Sequence, residues 1–206
     1  MALAELAASG AYQIAALLST VTEGYERVSM HGVRRVLLEQ QAAAVGLPLH
    51  VVSIPQDATN DAYQSRMEEA FSVFRRDGLT TIAFGDLFLA DIRQYREEWL
   101  TRQGMRALFP IWKRETRALA HAFIDGGYEG VVACCDGRVL GRSFAGRRFD
   151  RGFLADLPEA VDPCGENGEF HTFVSGGPVF RHAVRFHLGA VVQRGSWYFQ
   201  DLVPAV

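Results

Sequence analysis

The chain has 206 residues, of which 49% are hydrophobic and 22% charged, with a formal net charge of −3. That composition allows one globular domain with a real core, or one domain with a small appendage, and excludes a disordered chain. It gives no global pull toward nucleic acid or an anionic membrane. No apolar run approaches the ~20 residues of a membrane helix. The opening MALAELAASG lacks the basic start of a secretory signal. Cys134, Cys135 and Cys164 form neither a CxxC pair nor a zinc spacing, which fits reduced thiols in a cytoplasm. Lys113 is the one lysine, so lysine-dependent chemistry must use it or be absent.

Residues 1–9, rich in Ala and Leu and closed by Gly10, predict a helix. Residues 11–21, AYQIAALLSTV, predict a strand buried on both faces. Residues 31–45 predict a helix with Val33, Val36, Leu37 and Ala44 on one face and Gly46 as its cap. A strand follows over Pro48–Ile54. The next helix runs from Thr59 or Asn60 to Asp77, with Tyr63, Met67, Ala70, Phe71 and Phe74 at helical spacing. Thr80–Phe84 is a short strand. Leu89, Ile92, Tyr95 and Trp99 then line one face of a helix that stops at Gly104. A brief strand at Ala107–Phe109, a helix near 114–125 and a strand at Gly130–Cys134 complete the series.

Alternating strands and helices predict an α/β fold: a Rossmann-like parallel sheet with helices on both faces. Ligands of such sheets bind beyond the carboxyl ends of the strands. After about residue 136 the texture changes to glycines, arginines and alternating patterns. Residues 183–203 predict an antiparallel hairpin turning at Arg194-Gly195. A boundary near 133 thus separates residues 1–133 from a smaller α+β region, 134–206.

Three groups of residues can carry chemistry. The densest is Cys164-Gly165-Glu166-Asn167-Gly168-Glu169-Phe170-His171-Thr172. Its two carboxylates, three residues apart, and its imidazole can converge on one ligand, hold a hydrated Mg2+ or take a proton. A Gly-rich turn with solvated acids is the competing reading. The second is Gly85-Asp86, directly after a strand, where Gly permits close approach and Asp can accept from a hydroxyl or a metal-bound water. An ordinary helix cap competes with it. The third is His31 and Arg34, which stand before a helix and can meet a phosphate or carboxylate, or can simply be solvated. Cys164 is a weak nucleophile candidate, because no His/Asn framework is identifiable beside it.

The pieces ALLSTVTEGYERVSMHGVR (16–34), AVGLPLHVV (44–52), FGDLFLADIRQYRE (84–97), LFPIW (108–112) and CGENGEFHTFVSGGPVF (164–180) resemble the ATP-binding family that contains diphthine–ammonia ligase. That family is a branch of the alpha-hydrolase-like ATP pyrophosphatases. The resemblance implies an ATP- and Mg2+-dependent, AMP-forming ligase. A substrate carboxylate is adenylated, pyrophosphate leaves, and ammonia attacks the acyl-adenylate to give an amide. It also implies a nucleotide-binding α/β part in residues 1–133 and a substrate-binding part after it. Thr20, Gly85 and Asp86 match the nucleotide side. Glu166, Glu169 and His171 are the implied catalytic group, and His31, Arg34, Asn167, Gly168 and Thr172 the implied substrate contacts. The acceptor is a small-molecule or protein-borne carboxylate, with no nucleic acid and no membrane partner.

Two departures qualify the match. The family opens with a strand and an SGGKDS loop that cradles pyrophosphate on backbone N–H groups and a helix N-terminus. MALAELAASG aligns with the helix after that loop, so first strand and cradle are expected to be missing. Weak ATP binding and self-association through an unpaired sheet edge are then expected, as is the alternative of a non-catalytic nucleotide- or metabolite-binding protein. The second departure is ENGEFHTF, with Asn167-Gly168 where the archaeal and eukaryotic ligases carry Gly-Gly. This points to a bacterial-looking branch, and leaves diphthine and a cobalamin-related carboxylate both open as substrate.

Overall fold

The computed structural model describes residues 1–205. Helix α1 (Ala2–Ser9) ends where Gly10 adopts the left-handed conformation, and none of its residues is buried. Strand β1 (Leu17–Thr22) pairs in parallel with β3 (Leu49–Ile54), and at its last two residues with the short antiparallel β2 (Arg27–Val28). Helix α2 (Arg35–Val45) connects β2 to β3. Helix α3 (Asn60–Arg76), capped by the Thr59 hydroxyl accepting from Ala62 N–H, leads to β4 (Thr81–Ala83). Helix α4 (Ala90–Arg102) and β5 (Arg106–Leu108) follow, and β5 pairs in parallel with β4. After α5 (Thr116–Asp125) come β6 (Glu129–Asp136), α6 (Arg151–Asp156), β7 (Phe170–Gly176), β8 (Phe186–Arg194) and β9 (Trp197–Pro204). These last four strands form an antiparallel sheet in the order β7-β6-β9-β8.

The expectation of one continuous parallel sheet is corrected. The first half holds two separate sheets, β2-β1-β3 and β4-β5. On the side away from β3, residues 17–20 of β1 have no strand neighbour, nor has the free side of β4, and both line one cavity of about 620 Å³. The sheet is interrupted there because no segment of the described chain lies between the two edges. The long strand expected over 11–21 shortens for the same reason: pairing begins where Leu17 N–H donates to Pro48 O, and residues 12–16 line the cavity with no strand beside them. The helix expected from residue 31 starts at Arg35. Before it, Val28 N–H donates to Val33 O in a tight turn through Met30 and Gly32, both left-handed.

Three apolar clusters position the pieces. Helices α3 and α4 pack Met67, Phe71, Trp99 and Leu100 against Val52 and Ile54 of β3. Helix α2 turns Leu37 and Ala44 toward the C-terminal sheet, against Val131, Phe173 and Leu202. Phe123, Phe149, Phe153 and Phe170 fill the third, on the other face of that sheet. The two halves therefore share α2 as a common wall.

Candidate functional site

The site forms where the carboxyl ends of β1 and β4 face the loop before β7. At the end of β1, Thr20 O accepts from Ser29 N–H, and Thr22 Oγ1 lies 3.1 Å from Ser29 Oγ. That pinned turn sets His31 face to face with His171 of β7, ring centroids 4.3 Å apart and 11° from parallel. Trp197 of β9 continues the stack, 6.0 Å beyond His171. Burial, reinforced by the neighbouring His171, lowers the His31 imidazole to about 4, and burial lowers His171 as well. Both rings are therefore neutral near pH 7, able to accept a proton but without a standing charge.

The loop 162–169 is organised from within. Asp162 Oδ1 accepts from the N–H groups of Cys164 and Glu166, an Asx-type turn that the D-P-C-G order favours. Gly165 is left-handed, and a Cβ there would come within 2.6 Å of Phe170 O, so only glycine fits. Glu169 is buried, and its Oε1 accepts from Asp162 N–H at 2.9 Å and from the Asn167 amide at 3.0 Å. Its Oε2 is buried without a partner.

Glu166 leaves this loop and crosses to the first half of the chain. Its Oε1 accepts from Leu87 N–H at 2.6 Å and from Phe88 N–H at 3.4 Å, immediately after Gly85-Asp86. Burial raises the Glu166 carboxyl above its ordinary range, and the charges of Asp86 and Asp162 add to this. The two N–H donors oppose it. Asp86 itself is engaged by Arg96 of α4, Nε 2.9 Å from Oδ2. The angle there is too poor for a hydrogen bond, and the pair's one hydrogen bond runs from Arg96 Nη2 to Asp86 Oδ1 at 3.3 Å, so Nε and Oδ2 are buried without a hydrogen-bond partner. The Arg96 guanidinium also lies 4.3 Å over the Phe84 ring. Gly85 is exposed, with open space where a Cβ would stand.

Of the residues singled out in the sequence, His31 and His171 meet, and Glu166 meets the chain beside Asp86. Thr20, His31, Phe84 and Arg96 line the cavity between β1 and β4. Asn167 and Glu169 hold the loop together. Arg34 is turned elsewhere: its Nε and Nη2 make a bidentate pair with Asp201 Oδ1 and Oδ2 at 3.0 and 2.8 Å. Thr172 alternates onto the face of β7 that carries Phe170 and Val174, opposite His171. Gly168 is left-handed in open space.

Three participants escape a reading of the sequence. Arg96 lies ten residues past Asp86, on the helix that follows it. Trp197 reaches His171 only through the antiparallel sheet. Asp162 had a local signal, its position two residues before Cys164. Cys164 donates its thiol to Thr116 O at 3.2 Å, and burial beside Asp162 and Glu166 pushes it up to about 12. A thiol so held is no nucleophile near neutral pH. Among the described residues no three His, Cys, Asp or Glu side chains form a metal-binding cluster. No helix among them is long and apolar enough to cross a membrane.

Residues 115–202 match a family model described as the diphthamide synthase C-terminal domain. The match covers a little under half of the chain, from α5 to β9, and includes the loop with Glu166 and Glu169 and the strand with His171. Thr20, His31 and Asp86 lie outside it. No curated protein matches the chain.

Proposed function

We propose that this chain is an ATP-dependent, AMP-forming amide ligase resembling diphthine–ammonia ligase, acting on a small-molecule or protein-borne carboxylate with ammonia. One observation carries this reading. Glu166 belongs to the part matched by the diphthamide synthase model, and it bonds to the backbone N–H groups that follow Asp86. One ligand can therefore touch both halves.

Asp86 and Glu166 suit a hydrated Mg2+, which takes one or two carboxylates and fills its remaining positions with water and phosphate oxygens. Burial is the main cause of the raised Glu166 carboxyl, and the charges of Asp86 and Asp162 add to it. The cavity lined by Thr20, His31 and Phe84 has the size of a nucleoside site. For the phosphates, the described residues offer the uncapped N-terminus of α1, whose Met1 and Ala2 pack against the cluster of Leu87, Ile111 and Leu119, and no glycine-rich cradle. Bound Mg-nucleotide would supply a good leaving group for a carboxylate oxygen. The chain's own part is to hold the acceptor at the acidic loop and to take up, at a neutral imidazole of His31 or His171, the proton that the nitrogen loses once ammonia has attacked. Arg96 must release Asp86 before the carboxylate can face a metal.

The test is AMP release from Mg-ATP in the presence of ammonium and a candidate carboxylate, diphthine on its elongation factor or a cobalamin-related acid. The expected result is release that needs both co-substrates and falls at least ~10²-fold in Glu166→Gln. A second reading, a nucleotide- or metabolite-binding protein without catalysis, is favoured by the Arg96–Asp86 pair. It takes over if calorimetry detects nucleotide binding while no carboxylate yields AMP.

A further inference from the structure

A second concavity, of about 350 Å³, lies on the other side of the 22–32 turn, between that turn and the β8–β9 hairpin. Its apolar wall is Phe199 and Val192, directly opposed across the hairpin, with Met30 facing them. Tyr25, Met30 and Val192 are all large and exposed around this one opening. Apolar groups gathered at a concave site with a few fixed polar ones are the usual make-up of a small-ligand pocket.

The backbone is irregular at three points around it. Met30 and Asp57, which line it, have φ of +65° and +56°, although neither is glycine. Strand β8 bulges between Leu188 and Val191, which turns Ala190 into the lining. Gln200, nearly fully buried, holds the bulge by donating its amide to Gly189 O at 2.7 Å and Asp201 O at 3.0 Å. Strained conformations and bulges cost free energy and concentrate where a surface has been shaped for a ligand.

Charge gives the ligand's sign. Arg27, fixed by Gly32 O and Asp201, shares that carboxylate with Arg34, leaving one positive charge in excess. Arg194 lies over the Tyr25 ring at 5.1 Å and makes no ion pair with a described carboxylate. In the lining itself Arg27 and Arg194 balance Asp57 and Asp201, and Arg34, outside the lining but paired with Asp201, leaves the surroundings of the cleft one positive charge in excess.

We propose that this cleft binds a small organic anion with a flat unsaturated body, its ring against Phe199, Val192 and Met30 and its anionic group on the Arg194 guanidinium. The site is separate from the one assigned to the ligase reaction and stands whether or not that reaction occurs.

The chain carries a reporter in each cavity: Met30 lines the cleft and Met67 the cavity between β1 and β4. With 13C-methyl methionine, indole-3-acetate is titrated as the probe, and acetate and indole serve as half-molecule controls. The expected result is a saturable shift of the Met30 methyl with Met67 unmoved, and at least tenfold weaker binding of either control. Arg194→Gln should weaken indole-3-acetate roughly tenfold or more, the value of a charge-assisted hydrogen bond. Val192→Glu should do the same, and unmoved Met67 and Met105 signals certify the fold of both variants. The proposal is overturned if Met30 does not shift, if only Met67 responds, if acetate or indole binds as well as the whole probe, or if both variants bind it as the parent does.

Discussion

His31 and His171 carry the clearest consequence of burial in the molecule. The His31 imidazole sits at about 4 in the folded chain against 6.5 for an ordinary histidine. The unfolded chain therefore binds more protons between those values, so stability rises with pH across that interval and is complete above it. The full effect is roughly 3 kcal/mol from the size of that shift, and His171 acts in the same direction. Urea midpoints should fall as pH drops from 7 to 5, and His31→Phe, which keeps a ring in the stack, should flatten the fall. Equal slopes for the two proteins would remove the His pair from the account. Glu166 makes a separate prediction. Glu166→Ala leaves the N–H of the buried Leu87 without its 2.6 Å acceptor, at a cost of about 1–3 kcal/mol, read as a lower urea midpoint at unchanged m-value. His31, Asp86 and Glu166 stood out in the sequence because an imidazole or carboxylate next to a glycine is rare enough to notice, and His171 because it follows two carboxylates closely. Arg96 and Trp197 did not, since an arginine on a helix and a tryptophan in a hairpin have many ordinary uses.

At the level of elements, the helices were the most legible. The spacing from Tyr63 to Phe74 defines α3 to within a residue or two, since one apolar stripe and a Thr59 cap mark it without tertiary help. The strand β7 was missed because its buried residues, Phe170, Phe173, Ser175 and Gly176, break the period of two and sit among glycines. Helix α6, held by the Asp150 carboxylate on Phe153 N–H, is too short for a period to appear. The unpaired edges of β1 and β4 are the element-level feature with the largest consequence, because a two-stranded parallel sheet leaves a full row of N–H and C=O groups open. A strand from another molecule can satisfy them, and the chain is expected to self-associate with rising concentration in light scattering. Lysine on an edge opposes such pairing. Ala83→Lys, at an exposed position of β4, should hold the chain monomeric to higher concentration. A parent protein that scatters as a monomer throughout would show that the cavity closes without a partner.

Across the whole molecule, the two halves are tied at few points, and each bears on the candidate site. Glu166 reaches Leu87, α2 lies on the C-terminal sheet, and Arg27 and Arg34 converge on Asp201. The last tie is the most concentrated. Both guanidiniums hold the Asp201 carboxyl below the usual range, and Arg34 contributes most. Gly32 fits against Phe199 only because it lacks a Cβ, which would stand 2.6 Å from the ring. The turn carrying His31 is thus seated on β9 from both sides, and the imidazole stack depends on that seating. Asp201→Ala would leave two cations without their partner beside a tight contact, at a cost of about 1–3 kcal/mol. The N-terminal half has two incomplete sheets and fewer strand pairings, so it should loosen first. In guanidinium, the far-UV helical signal, carried mostly by the helices of that half, should then be lost at a lower concentration than the near-UV signal of Trp197 stacked on His171 in the C-terminal sheet. The parent should lose both together. Asp201→Glu, able to receive both arginines again, should bring the two transitions back toward coincidence. If Asp201→Ala unfolds in one step at the parent's midpoint, the clamp does not couple the halves, and α2 and the Glu166–Leu87 bond carry that role.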